Sequence, residues 1–347
     1  MTRRVAAIAC AGLLLGSTAP AKDPPPPPGA LAASVGDTVV LIDPASERVA
    51  AFETGPVGWL FEAPGGALFA PDLVNGRTTV IDLRTGQVAD RFDGVTMPHF
   101  APTGDRYVVV ADDVLLVSYP ERAILSRMAA RIRYPWQVEM VSDTVLLVLE
   151  RGPDGNGVAT LHAVDLATRQ VVFRRELAGD VRRFALSRAL GLLAFADASS
   201  GTVELVLPAT LTPVGSLEMG GGIRDVAFLD SQGELAAVAA AADGTSGELK
   251  VWKLKPTEGG LKVKKERALP LPGTPVRLAV APGERQLAVA LEPGSILVVD
   301  VDELVVARTL ELASPPRDLV WCDPARPGPV LPDWSDDDPP ELRLGPR

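Results

Sequence analysis

The chain has few of the residues from which active sites are most often built. It contains two histidines and two cysteines in 347 residues. One of the cysteines, Cys10, lies in an N-terminal stretch that reads as a secretory signal. Removing it leaves Cys322 alone, so no intramolecular disulfide can form and stability must come from packing. Two separated histidines and one thiol cannot assemble a typical zinc site, and no metal is expected. No G-x-S-x-G elbow, P-loop or dinucleotide fingerprint is present, so no cofactor is expected either. The "GGG" at 220–222 precedes an apolar strand rather than a helix, and so offers no helix N-terminus to a phosphate. Aromatic residues make up only 5% of the chain and basic residues are outnumbered, 34 to 44, for a net charge of −10. That balance argues against nucleic-acid binding, which depends on a basic face to displace counterions.

Beyond residue 21 no apolar run is long enough to span a bilayer. Within residues 1–21, Arg3 and Arg4 precede an apolar stretch from Val5 to Gly16, and Ala19-Pro20-Ala21 supplies small residues for cleavage before Lys22. The expectation is a periplasmic or secreted protein with no transmembrane span in the mature chain. The cleaved chain keeps 32 basic and 44 acidic residues, a charge of −12.

What the chain does have is Ala, Val and Leu in short runs, with 32 glycines and 32 prolines to punctuate them. Residues 22–29, "KDPPPPPG", read as a polyproline linker. From Ala30 a unit repeats. Its first element is a strand ending in Asp, a turn and a second strand, as in "TVVLIDPASERVAAF" (38–52), "TTVIDLRTGQVADRF" (78–92), "ATLHAVDLATRQVVF" (159–173) and "SILVVDVDELVVARTL" (295–310). Divergent copies begin at residues 114, 203 and 248, making seven. A second element, an apolar hairpin, begins near residues 57, 97, 136, 181, 223 and 276, mostly about 40 residues apart. The seventh copy, "RDLVWCDPA" from Arg317, lacks its partner strand, and "GALAASVGD" at 29–37 supplies a match. The chain is therefore expected to be all-β, a seven-bladed β-propeller over residues 30–324 closed by its N- and C-terminal strands. "KPTEGGLKVKKE" predicts an extended outer hairpin on blade 6. Residues 325–347, rich in Pro and Asp and containing Trp334, form a C-terminal tail expected to fold over the closing blade.

The segments "TVIDLRTGQVADRF" and "MPHFAPTGDRYVVVAD", covering 79–112, carry a resemblance to the YVTN-type β-propeller family of exported proteins. The remaining repeats follow the pattern loosely across 30–323. WD-repeat proteins share the architecture; Trp252-Lys253 stands where their Trp-Asp would be. The resemblance implies a rigid scaffold. Within the same group of folds it also implies lactonase-like hydrolases and noncatalytic subunits of periplasmic redox complexes.

Candidate site residues follow from placing the inner strands around a channel. Arginines recur at the start of four successive inner strands: Arg182 and Arg183, then Arg224, Arg277 and Arg317. On one ring they would form a positive mouth suited to a small anionic ligand or an acidic loop of a protein partner. The alternative is structural, since Arg224-Asp225 and Arg317-Asp318 repeat one dipeptide and the charges could pair between blades. Trp59 and Trp136 offer an aromatic wall, or simple packing. His99, in "MPHFAP", is the one histidine placed near the channel; His162 reads as a hydrogen-bonded strand residue. A non-enzymatic binding scaffold of the cell envelope is the expectation. The alternatives are a hydrolase with His99 as general base and a docking subunit of a redox complex.

Overall fold

The computed structural model describes residues 29–46, 49–152, 157–257 and 260–328. The expected signal (1–21), residues 22–28 of the expected linker and residues 329–347 of the expected tail, with Trp334, lie outside the described residues.

Seven four-stranded antiparallel sheets surround a central axis, and the chain is a seven-bladed β-propeller. Blades 2 to 7 each consist of four consecutive strands; blade 1 is made from both ends of the chain. Its innermost strand is Asp318–Cys322, followed outward by Ala30–Val35, Thr38–Ile42 and Val49–Glu53. The register runs from Ala30 opposite Cys322 to Ser34 opposite Asp318. Ser34 locks the end of the pair, its carbonyl accepting Arg317 N at 2.9 Å and its hydroxyl accepting Asp318 N at 2.9 Å. This is the closure expected from the truncated seventh repeat, and it gives Ala30–Val35 the inner partner that the N-terminal strands alone would lack.

Alternation explains why the blades stack. Each blade buries side chains on both faces, and seven apolar clusters fill the seven gaps between neighbours. The cluster between blades 7 and 1 joins Ile296 and Leu310 to Leu31, Leu319 and Trp321. The one between blades 5 and 6 joins Phe228 and Trp252 to Leu192 and Leu205. With each fully buried large aliphatic contributing about 1.5–3 kcal/mol, these gaps carry the fold without a disulfide. Cys322 is buried in the closing strand and its thiol is pushed up by desolvation.

The recurring Asp is a turn device. Asp43, Asp82 and Asp165 accept the backbone N–H two residues on, each at 2.8 Å, and Asp300 accepts Glu303 N at 3.0 Å. An Asp at a strand end therefore caps the tight turn into the outer strand. The "GGG" is a close-approach element: a Cβ at Gly221 would lie 2.4 Å from the Ala240 carbonyl. The extended hairpin is Gly247–Thr257 with Gly260–Leu271, the outer half of blade 6. The described start of the tail leaves blade 1 and lies on blade 2, where Gly65 N donates to the Arg326 carbonyl at 3.1 Å.

Candidate functional site

The inner strands present one feature that the sequence pattern conceals. In blades 4 to 7 the pairing skips a residue near the start of the strand: Pro135 and Gln137, Val181 and Arg183, Ile223 and Asp225, and Pro275 and Arg277 oppose consecutive partners. The skipped residues are Trp136, Arg182, Arg224 and Val276, each extruded in a β-bulge. The residues after the bulge, Gln137, Arg183, Asp225 and Arg277, share one level. Asp318 holds that level in blade 1. Aligning the hairpins "WLFEAPGG" and "MPHFAPTG" puts Trp59 and Met97 there in blades 2 and 3.

The five arginines singled out from the sequence therefore fall on two levels. Arg182, Arg224 and Arg317 precede the shared ring and form the rim of the mouth. Arg277 lies one step further in, level with Arg183. Their electrostatic situations also differ. Arg182 binds Asp180 at 2.7 Å, and Asp180 also holds the buried Arg151 at 2.6 Å. Arg277 Nε donates to Asp318 at 3.0 Å across the gap between blades 7 and 1. Arg224 and Arg317 are exposed and form no ion pair among the described residues.

Three members of the inner ring are inter-blade clasps. Asp318 accepts Leu60 N of blade 2 at 2.8 Å, and Asp225 accepts Leu278 N of blade 7 at 3.0 Å. Gln137 grips the backbone of Phe184 in blade 5 twice, donating to its carbonyl at 2.7 Å and accepting its N–H at 3.0 Å. Each clasp satisfies a backbone group that an inner edge strand would otherwise leave unpaired.

Arg183 is different. It projects into the channel and makes no hydrogen bond or ion pair among the described residues. Burial, reinforced by the repulsion of Arg277, pushes its pKa down to about 10, against the opposing pull of Asp225 and Asp318. It lines a cavity of about 340 Å³ bounded mainly by blades 2 to 4. Trp59 and Trp136, from non-adjacent blades, meet there edge-to-face at 6.5 Å, and the Trp136 indole N–H donates to the Arg182 carbonyl at 2.9 Å.

One layer deeper lie Phe61, His99 and Glu139. The His99 ring stands edge-on to Phe61 at 5.1 Å, and desolvation pushes its pKa down to about 3. Glu139 keeps 45% of its side-chain surface accessible. It faces Arg188 at 3.8 Å, and desolvation still raises its carboxyl pKa despite Arg188 and Arg326. Arg326 reaches Glu62 at 3.5 Å, which places the start of the tail beside the far end of the cavity. His162 is buried in blade 4 and bonds Glu150 at 2.8 Å, away from the channel.

Sequence reasoning missed the clasps and Met97. The signal was available in the dipeptides: Trp136-Gln137, Arg182-Arg183, Arg224-Asp225 and Val276-Arg277 align as bulge then ring, and Arg317-Asp318 matches them in sequence.

No family model matches the chain, and none of the curated proteins does. Solved structures do match. One is the dihydro-heme d1 dehydrogenase NirN in complex with DHE, 12% identical, with 87% of this chain and 76% of that one covered and a TM-score of 0.58. Another is apo AztD from Citrobacter koseri, 15% identical, covering 85% and 97% at a TM-score of 0.56. A chain of the mitotic checkpoint complex is 14% identical, covering 80% and 96% at a TM-score of 0.58. These are likenesses of fold. The propeller architecture they share commonly serves as a binding scaffold.

Proposed function

We propose that the protein is a non-enzymatic binding propeller of the cell envelope, whose channel mouth docks an acidic segment of a partner protein. The observation that carries this reading is the rim. Arg224 and Arg317, exposed and without an ion pair among the described residues, stand with Arg182 around one opening of a chain whose net charge is −10. A concentrated positive rim on an acidic molecule steers and orients an acidic partner. The envelope location rests on the signal read in residues 1–21.

The hydrolase alternative gains little from the geometry. A general base works best with a pKa near the operating pH, and His99 is pushed down to about 3 and packed edge-on against Phe61.

The test is charge reversal at the rim. The wild-type protein should bind a synthetic Asp/Glu-rich peptide in a salt-sensitive manner and retain a partner from envelope extracts. Arg224→Glu with Arg317→Glu should lose both. Retention of both by the double variant would remove the rim from the binding surface.

A further inference from the structure

We infer that the channel holds a second, separate site: an anion-recognition pocket centred on Arg183 that takes a small organic carboxylate with a flat apolar body. The inference does not rest on the rim reading, because the rim arginines lie one level outside.

Three observations carry it. The first is that Arg183 is a channel-facing guanidinium without a direct side-chain partner among the described residues. Its neighbours cannot easily be recruited. Asp318 already serves Arg277 and Leu60 N, and Asp225 already serves Leu278 N and its own neighbour Val226 N at 3.0 Å. A desolvated cation whose nearest carboxylates are occupied gains more from an added carboxylate than an exposed arginine does, because guanidinium and carboxylate match as a two-pronged pair.

The second is the chemistry of the facing wall. Trp59 and Trp136 present aromatic surface to the same cavity, with Phe61 and Met97 beside them. These side chains bind a flat apolar body and offer little to a highly hydrated ion such as inorganic phosphate. The third is size. A cavity of about 340 Å³ sits at the small end of the ~300–1,000 Å³ range of ligand pockets, which suits a single-ring ligand rather than a cofactor.

The specificity is for one negative charge at the Arg183 end and flat apolar surface against Trp59 and Trp136; Glu62 and Glu139, which also line the cavity, disfavour a ligand with a second carboxylate. His99 contributes as a neutral ring at physiological pH, so it adds no competing positive charge to the pocket.

The experiment is calorimetric titration of the full chain with benzoate and with its neutral isostere benzamide, with tryptophan emission followed in parallel. Benzoate is expected to saturate and to perturb the emission, with benzamide at least tenfold weaker. Arg183→Met should weaken benzoate at least tenfold, and Arg183→Lys should recover part of the loss. If Arg183→Met does not fold, the comparison of benzoate with benzamide on the wild type still decides. Equal binding of the two probes, no saturable binding of benzoate, or unchanged affinity in folded Arg183→Met would each overturn the inference.

Discussion

Arg277 of blade 7 and Asp318 of blade 1 form an ion pair at 3.0 Å across the gap beside the one blade that is closed by strands from both ends of the chain. Asp318 is doubly committed, since its second oxygen accepts Leu60 N of blade 2 at 2.8 Å. One carboxylate therefore ties three blades together at the closure. Asp318→Ala strands a mostly buried guanidinium and a backbone N–H, and is expected to cost about 3–5 kcal/mol. Asp318→Asn keeps an acceptor for Leu60 and should cost clearly less. Denaturant midpoints of the two variants measure the difference; equal destabilisation would mean that the Leu60 bond contributes nothing.

Gln137 provides the neutral counterpart of that clasp. Its amide both donates to and accepts from the Phe184 backbone, so no carboxylate can replace it without losing the donor. Gln137→Glu is expected to be destabilising by about 1–3 kcal/mol, and more so at neutral pH than at low pH, where the protonated acid regains a donor. A Gln137→Glu protein whose midpoint deficit does not change with pH would contradict the two-point grip.

The architecture was legible in the sequence because its causes are local and repeated. An Asp that caps a turn recurs once per blade in the clearest copies, and alternating Val and Ala mark the strands between. The closure was legible for the complementary reason that a missing strand in the last repeat matched a surplus strand in the first. The ring was not, because a bulge shifts the side-chain register by one position without altering the hydrophobic pattern on either side of it. Arg277 thus seemed level with Arg182, Arg224 and Arg317, although the backbone puts it level with Arg183. The choice of partner was also hidden: Asp318 follows Arg317 in sequence but serves Arg277, 41 residues away.

The two histidines predict a pH response. Burial lowers the pKa of both, to about 3 for His99, so the folded state stays unprotonated at each where the unfolded chain takes up a proton near its ordinary value of 6.5. Their neutral burial therefore costs nothing above that value, and stability is lost as pH falls below it, by up to about 1.4 kcal/mol per pH unit for His99, with His162 acting in the same direction. Glu62 and Glu139, whose pKa values are raised by desolvation, act in the opposite sense at lower pH. Denaturant midpoints should decline from pH 7 to 5.5, and His99→Gln should flatten the decline. An unchanged slope in that variant would show that His99 is not held neutral by its surroundings.

The closing strand offers the most direct test of how the ring holds together. Truncation after Pro316 removes Asp318–Cys322, and with it the inner partner of Ala30–Val35, the Arg277 ion pair and the Leu319 and Trp321 contacts to blade 7. The consequence is not confined to blade 1. An exposed inner edge of five paired positions is a template for strand addition, and both gaps flanking blade 1 lose packing. The truncated protein should be prone to self-association by size-exclusion chromatography and cleaved within blade 1 by limited proteolysis. Truncation after Gly328, which keeps the strand and Arg326, should leave a monomer-sized, protease-resistant propeller if the wild type is one. Equal resistance of the two truncated forms would mean that the ring holds without its seal, on the inter-blade packing that remains.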